Sequence, residues 1–189
     1  MIVIGASSGG LKALQTLLSG LPRAFAPPLA VALHRSRDTD DLLQPALQRH
    51  SALPVIEVMD KEPIQPGRVH VGPPDYHLLV EPGHFSLSTD EPVNFARPSI
   101  DVLFESAADV FGPAVIGVIL TGSSRDGARG AERIRLRGGT VIVQEPATAQ
   151  SPVMPAAALA ATQTPYVLRL EQMAGALIQA AESTLTRNP

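Results

Sequence analysis

Val3-Ile4-Gly5-Ala6-Ser7-Ser8-Gly9-Gly10 decides the fold: an apolar run breaks at small residues into the helical pattern Leu11, Leu14, Leu17, Leu18. Strand, tight turn and helix in that order expose a polar side chain at the strand's carboxyl end. They also aim the first helical N–H groups at whatever binds there, which suits an oxyanion or a phosphate. Gly5-Ala6-Ser7-Ser8-Gly9 satisfies the G-x-S-x-G pattern of a serine nucleophile elbow, whose small flanking residues permit a strained turn. Ser7 is therefore the nucleophile candidate, and Ser8 is either its competitor or the helix cap.

Outward from this turn, a helix over residues 11–21 meets its stop signals at Gly20 and Pro22, and residues 29–33 form a continuous apolar run ending at His34. That is a βαβ unit. Parallel sheets bind ligands beyond the carboxyl ends of their strands, so Ser7 and His34 are expected on one edge. Residues 114–120 are the strongest buried strand in the chain and run into Thr121-Gly122-Ser123-Ser124-Arg125-Asp126-Gly127, a second strand-turn-helix with a carboxylate in the turn. The remaining spacing predicts helices over 38–49, 100–111, 155–161 and 171–185, and strands over 140–143 and 166–168. Thr39 or Asp40 would cap the first of these helices, and Pro45 would kink it or delay its start. Four short apolar pieces between residues 53 and 89 are separated by Pro/Gly-rich turns and predict an antiparallel hairpin region. The fold class is α/β: one domain over 1–189 with a doubly wound, mostly parallel sheet, flanked by helices and carrying that hairpin region.

Composition narrows the function. The chain has 189 residues, 44% of them hydrophobic, enough for one well-filled core. It has no cysteine, which excludes thiol catalysis, thiolate metal sites and disulfides. A net charge of −3 gives no general attraction to nucleic acid, and aromatics at 4% without tryptophan give no base-stacking platform. The start lacks a basic leader, and no apolar run reaches membrane-spanning length, so a cytoplasmic protein without membrane insertion is expected. His50, His70 and His84 show no metal-ligand spacing, and neither metal nor cofactor is expected.

Ser7, His34 and Asp126 together supply what serine chemistry requires. A hydroxyl is a weak nucleophile unless an imidazole takes its proton, and the imidazole needs a carboxylate to fix its tautomer and stabilise its charge. Asp126 equally fits an N-cap of the helix that follows it. Arg125, Arg129, Arg133 and Arg137 recur every four residues, as a solvated face or, less simply, a docking stripe for an acidic helix.

The chain resembles the catalytic domain of CheB-type chemotaxis methylesterases. The similarity is carried by residues 4–10, a strand ending in His34, residues 66–77, residues 97–104, residues 117–127, Gln144-Glu145 and Met154-Pro155. The resemblance implies Ser7 as nucleophile, His34 as general base and Asp126 as orienter. It also implies hydrolysis of glutamate methyl esters on the cytoplasmic helices of chemoreceptors, with deamidation of glutamine through the same acyl intermediate. Backbone N–H groups near Ser8 at the helix start, with Ser123 as a second source, are the expected oxyanion hole, and His77, Asn94 and Arg97 either line the cleft or serve as loop hydrogen-bonders. The chain departs from the family at Ser123 and Arg125, where Met and Asn are usual, and at Arg35-Ser36 after the histidine. Family members commonly carry a receiver domain, which is not present in this sequence, and such a domain or a pathway kinase is an expected partner. Two other readings use the same turn: a nucleotide-binding module with Arg35 near a ribose phosphate, and a catalytically silent signalling adaptor.

Overall fold

The computed structural model describes residues 1–35 and 42–185, with the side chains of 183–185 left aside. Nine strands and six α-helices alternate along it: β1 (Ile2–Ala6), α1 (Gly10–Ser19), β2 (Leu29–Leu33), α2 (Leu43–Gln48), β3 (Val55–Glu57), β4 (Val69–Val71), β5 (His77–Glu81), β6 (His84–Ser88), α3 (Ile100–Phe111), β7 (Ile116–Ile119), α4 (Ala128–Leu136), β8 (Thr140–Gln144), α5 (Val153–Thr162), β9 (Val167–Leu168) and α6 (Leu170–Leu185). Seven strands form one sheet in the order β3-β4-β2-β1-β7-β8-β9, every pair parallel.

Strand alternation divides the core in two. Ile2, Ile4, Leu29 and Val31 face α1, α2 and α6 through Leu14, Leu17, Leu47, Met173 and Leu177. Val3, Ala30, Ala32 and Val143 face the other way, onto α3, α4, α5 and the β5–β6 hairpin, through Ile100, Phe104, Ile134, Met154, Leu78 and Phe85. The chain winds outward from β1 through β2 to β3 and then returns to the other side of β1 as β7. The switch point, where such sheets bind ligands, is therefore the crevice beyond the carboxyl ends of β1 and β7.

One expectation is corrected here. Of the four short apolar pieces, only β5 and β6 form the antiparallel pair; β3 and β4 extend the parallel sheet beyond β2. Turn-rich spacing suggested hairpins, but all three residues of β4 are buried, including His70, whose Nδ1 hydrogen-bonds the Leu29 carbonyl at 3.0 Å. A strand buried on both faces belongs in a parallel sheet. Helix α2 begins at Leu43 with Pro45 in its first turn, as the delayed start predicted, while its proposed caps Thr39 and Asp40 lie outside the described residues. Among the described residues no helix is long and apolar enough to cross a membrane.

Gly5 lets α3 close onto the middle of the sheet. A Cβ there would stand 2.3 Å from Ile100 Cγ2, and Ile100 is fully buried. Gly5→Ala is expected to cost about 1–3 kcal/mol through overpacking, read as a lower denaturant midpoint at unchanged slope. A variant as stable as the wild type would show that α3 is free to move away.

Candidate active site

The ladder continues one step past each central strand and pins the site. The His34 N–H donates to the Ala6 carbonyl at 3.1 Å, and the Ser7 N–H donates to the Thr121 carbonyl at 3.0 Å. Ser7 therefore sits between the residue after β2 and the turn after β7. The Gly10 N–H then closes back on the Ser7 carbonyl at 2.7 Å, turning the chain into α1. Gly9 takes φ +78°, the left-handed region, and a Cβ on it would meet Gln150 Oε1 at 2.6 Å. No described residue hydrogen-bonds the N–H groups of Ser8 and Gly9, and both stand at the positive end of α1.

Imidazole and carboxylate meet as expected. His34 Nε2 lies 2.8 Å from Asp126 Oδ2, with the Asp126 side chain fully buried and His34 15% exposed. Ser7 and His34 line one cleft of about 700 Å³ between α1 and α2, walled by Leu11, Leu33, Leu43 and Ala46. The Ser7 hydroxyl makes no hydrogen bond with a described residue, so serine and imidazole line one cleft with no hydrogen bond between them.

Asp126 holds its place by caps that cross between two helices. Its carboxylate accepts the N–H groups of Ile100 and Asp101 at 2.6 and 3.2 Å, the Ser99 hydroxyl at 2.8 Å and Asn94 Nδ2 at 3.0 Å, besides His34. These five donors saturate its lone pairs. Asp126 thus caps α3, whereas the sequence suggested a cap for α4, the helix that follows it. In exchange Asp101, in the first turn of α3, accepts the Gly127 and Gly130 N–H groups of α4 at 2.9 and 2.7 Å. Asn94, held at φ +52°, ties the pair by also donating to Asp101 Oδ2 at 2.8 Å. Burial pushes the Asp126 carboxyl upward, but the hydrogen bonds from His34, Asn94 and the Ile100 N–H outweigh it and keep the group below the ordinary carboxylate range. Burial lifts Asp101 above that range, against the lowering effect of the Gly130 N–H.

The weaker candidates separate. Ser123 Oγ bonds Ser8 Oγ at 2.8 Å and Ser151 Oγ at 2.9 Å. Arg97 donates Nη1 to the Thr89 and Asp90 carbonyls at 2.8 and 3.0 Å, which braces its loop beside a second cleft lined by His34, Asp75, Pro92 and Phe95. His77 is buried and bridges the Ser99 N–H and the Glu91 carbonyl, a scaffold role. Arg35, which the nucleotide reading needs for a phosphate, pairs with Glu57 at 2.6 Å. Three of the four arginines of the stripe pair with α3: Arg129 with Glu105, and Arg133 and Arg137 both with Asp109. Ser99 and Asp101 also belong to the site, although the sequence marks them only as part of the stretch 97–104, where a Pro-Ser followed by Asp in the first helical turn is their visible trace.

Known proteins resemble this chain over nearly its whole length. The family model described as CheB methylesterase matches residues 2–177. A Leptospira interrogans protein, provisionally named protein-glutamate methylesterase/protein-glutamine glutaminase, is 44% identical over 185 residues and covers 97% of this chain and 96% of its own. The protein-glutamate methylesterase FrzG of Myxococcus xanthus is 41% identical over 95% of this chain, which spans 54% of FrzG. The crystal structure of the Thermotoga maritima CheB methylesterase catalytic domain superposes with a TM-score of 0.90 at 33% identity, covering 95% of this chain and 97% of that one. The chain belongs to the CheB methylesterase family.

Proposed function

We propose that the chain is a serine hydrolase that removes methyl groups from glutamate γ-methyl esters on the cytoplasmic helices of chemoreceptors, and deamidates glutamine there by the same route. The observation that carries this reading is the His34–Asp126 contact beside Ser7 at the switch point of a sheet shared with the family.

Asp126 occupies His34 Nε2, so the nitrogen that takes the Ser7 proton is Nδ1. Ser7 Oγ attacks the ester carbonyl as that proton moves, and the imidazolium that forms is stabilised by the Asp126 carboxylate. Negative charge gathers on the carbonyl oxygen, where the unpaired Ser8 and Gly9 N–H groups at the head of α1 receive it. His34 then protonates the leaving methoxide, methanol departs, and a water deprotonated by the same nitrogen releases glutamate from Ser7. With a glutamine side chain the leaving group is ammonia and the acyl intermediate is the same.

The apolar wall of the cleft, from Leu11, Leu33, Leu43 and Ala46, fits the methylene arm and methyl group better than a free carboxylate. Incubation with a methylated receptor cytoplasmic fragment is expected to release methanol and leave glutamate at the modified positions. Release of neither methanol from the ester form nor ammonia from the glutamine form would sink the proposal. A receiver domain or pathway kinase is the proposed source of regulation.

A further inference from the structure

The loop that delivers Asn94 to Asp126 is a two-residue hairpin. The Ala96 N–H donates to the Val93 carbonyl at 3.0 Å, and the Val93 N–H donates to the Ala96 carbonyl at 3.2 Å. Between them Asn94 and Phe95 take φ +52° and φ +62°. Positive φ at both central residues is the mark of a type I′ turn, whose preferred pair is Asn-Gly because glycine carries no Cβ. Asparagine fits the first place, and a bulky phenylalanine is an outlier at the second. Packing does not account for it: Phe95 is the most exposed large apolar residue among those described, so its ring adds no burial to the fold. An exposed apolar side chain alone is ordinary, but one held in a strained conformation calls for a function.

The turn is firmly placed beside the triad. Asn94 Nδ2 donates to Asp126 and Asp101 at 3.0 and 2.8 Å, and Arg97 braces the other end on the Thr89 and Asp90 carbonyls. The Asp75 N–H also donates to the Arg97 carbonyl at 3.3 Å. Phe95 thus stands one residue from a side chain that touches Asp126, which in turn touches His34. With His34, Arg35 and Pro92 it lines the second cleft, of about 450 Å³. His34 and Arg35 also line the cleft that holds Ser7, so the two clefts meet at these residues. A polypeptide that sends one side chain into the first cleft keeps its backbone outside it, with the second cleft beside its adjoining surface.

We propose that Phe95 is a docking anchor for the receptor helix, taking an apolar side chain that neighbours the methylated glutamate on the helix surface. This rests on the esterase reading of Ser7. Residues three and four apart share a helix face, with Cβ atoms about 5–6 Å from each other, so such a neighbour arrives with the glutamate. A phenyl ring on a turn that is already ordered offers apolar contact at low entropic cost. Phe95 does not line the Ser7 cleft, so its contact is the same in the ground state and the transition state. It therefore lowers KM and leaves kcat alone.

The test is steady-state methanol release from a methylated receptor cytoplasmic fragment by the full chain and its variants, with denaturant unfolding and sedimentation alongside. Phe95→Asn is expected to raise KM by about 5- to 30-fold with kcat within about two-fold. Its denaturant midpoint should rise, because asparagine tolerates positive φ. Phe95→Leu, which keeps an apolar side chain, should hold KM within about three-fold of wild type. An unchanged KM in Phe95→Asn, or a fall in kcat at unchanged KM, overturns the anchor while the Ser7 reading stands. So does a midpoint that falls, which gives the ring a structural role. A wild-type chain that self-associates and becomes monomeric in Phe95→Asn also overturns it, because a second copy is then what covers the ring. A wild-type chain that releases neither methanol nor ammonia overturns both readings.

Discussion

Ser7→Ala lowers methanol release from methylated receptor by on the order of 10⁶-fold and leaves the folding midpoint unchanged to within about 0.5 kcal/mol. Both halves follow from the position of the residue. In the proposed mechanism the attacking atom is the Ser7 oxygen, and serine-hydrolase triads act as a unit, so loss of that oxygen should remove nearly all of the effect. The fold does not use that oxygen: the Ser7 hydroxyl has no hydrogen bond with a described residue, and the backbone bonds to Thr121 and Gly10 survive in alanine. Parallel measurement of turnover and of denaturant unfolding checks both. A variant that unfolds would show that the side chain supports the turn, and one that turns over at a tenth of the wild-type rate would move the nucleophile to Ser8.

Asp126→Asn has the second large effect, and it reaches stability as well. The carboxylate accepts five donors, and an amide in the same place turns an NH₂ group toward either the His34 Nε2 and Ile100 N–H side or the Ser99, Asn94 and Asp101 side. Either way buried donors face donors, at a cost of about 3–5 kcal/mol. The rate should fall by about 10⁴-fold, because the imidazole loses the partner that orients it and stabilises its charge. The pH dependence carries a sign. Asp126 titrates lower folded than unfolded, so its charge stabilises the fold above about pH 4, and that contribution is lost as the pH falls through the folded value. The stability gap between wild type and Asp126→Asn must therefore narrow on acidification, as unfolding curves at pH 7 and below pH 4 would show. Asp101, raised by burial, works in the opposite sense: its contribution is present at low pH and fades as the pH rises through its folded value. A gap that widens below pH 4 would mean that Asp126 is held as the neutral acid.

Much of this site was legible in the sequence because strand ends are legible. β1 and β2 are short apolar runs broken by small or polar residues, and parallel topology sends their ends to one edge whatever the distance along the chain. Ser7 and His34 were placed by that reasoning, and Asp126 by the same pattern after β7. What stayed hidden depends on pairings between remote segments. Nothing local to Asp126 tells that it caps α3, because the donors lie more than twenty residues earlier, at Ser99, Ile100 and Asp101. Nothing local to β3 and β4 separates a sheet edge from a hairpin, since both are short apolar runs between turns. The arginine stripe was visible as a period, yet its partners Glu105 and Asp109 sit on another helix. Such exposed pairs contribute little to stability, and they engage three of the four arginines of that stripe.

The central claim is that Ser7 Oγ becomes acylated, and mass spectrometry of enzyme quenched during turnover of the methylated receptor fragment tests it most directly. The account predicts a glutamyl acyl adduct on the peptide containing Ser7 in the wild-type chain, and its absence from Ser7→Ala. An adduct on Ser8, or methanol release at the wild-type rate with no adduct in either protein, would contradict it.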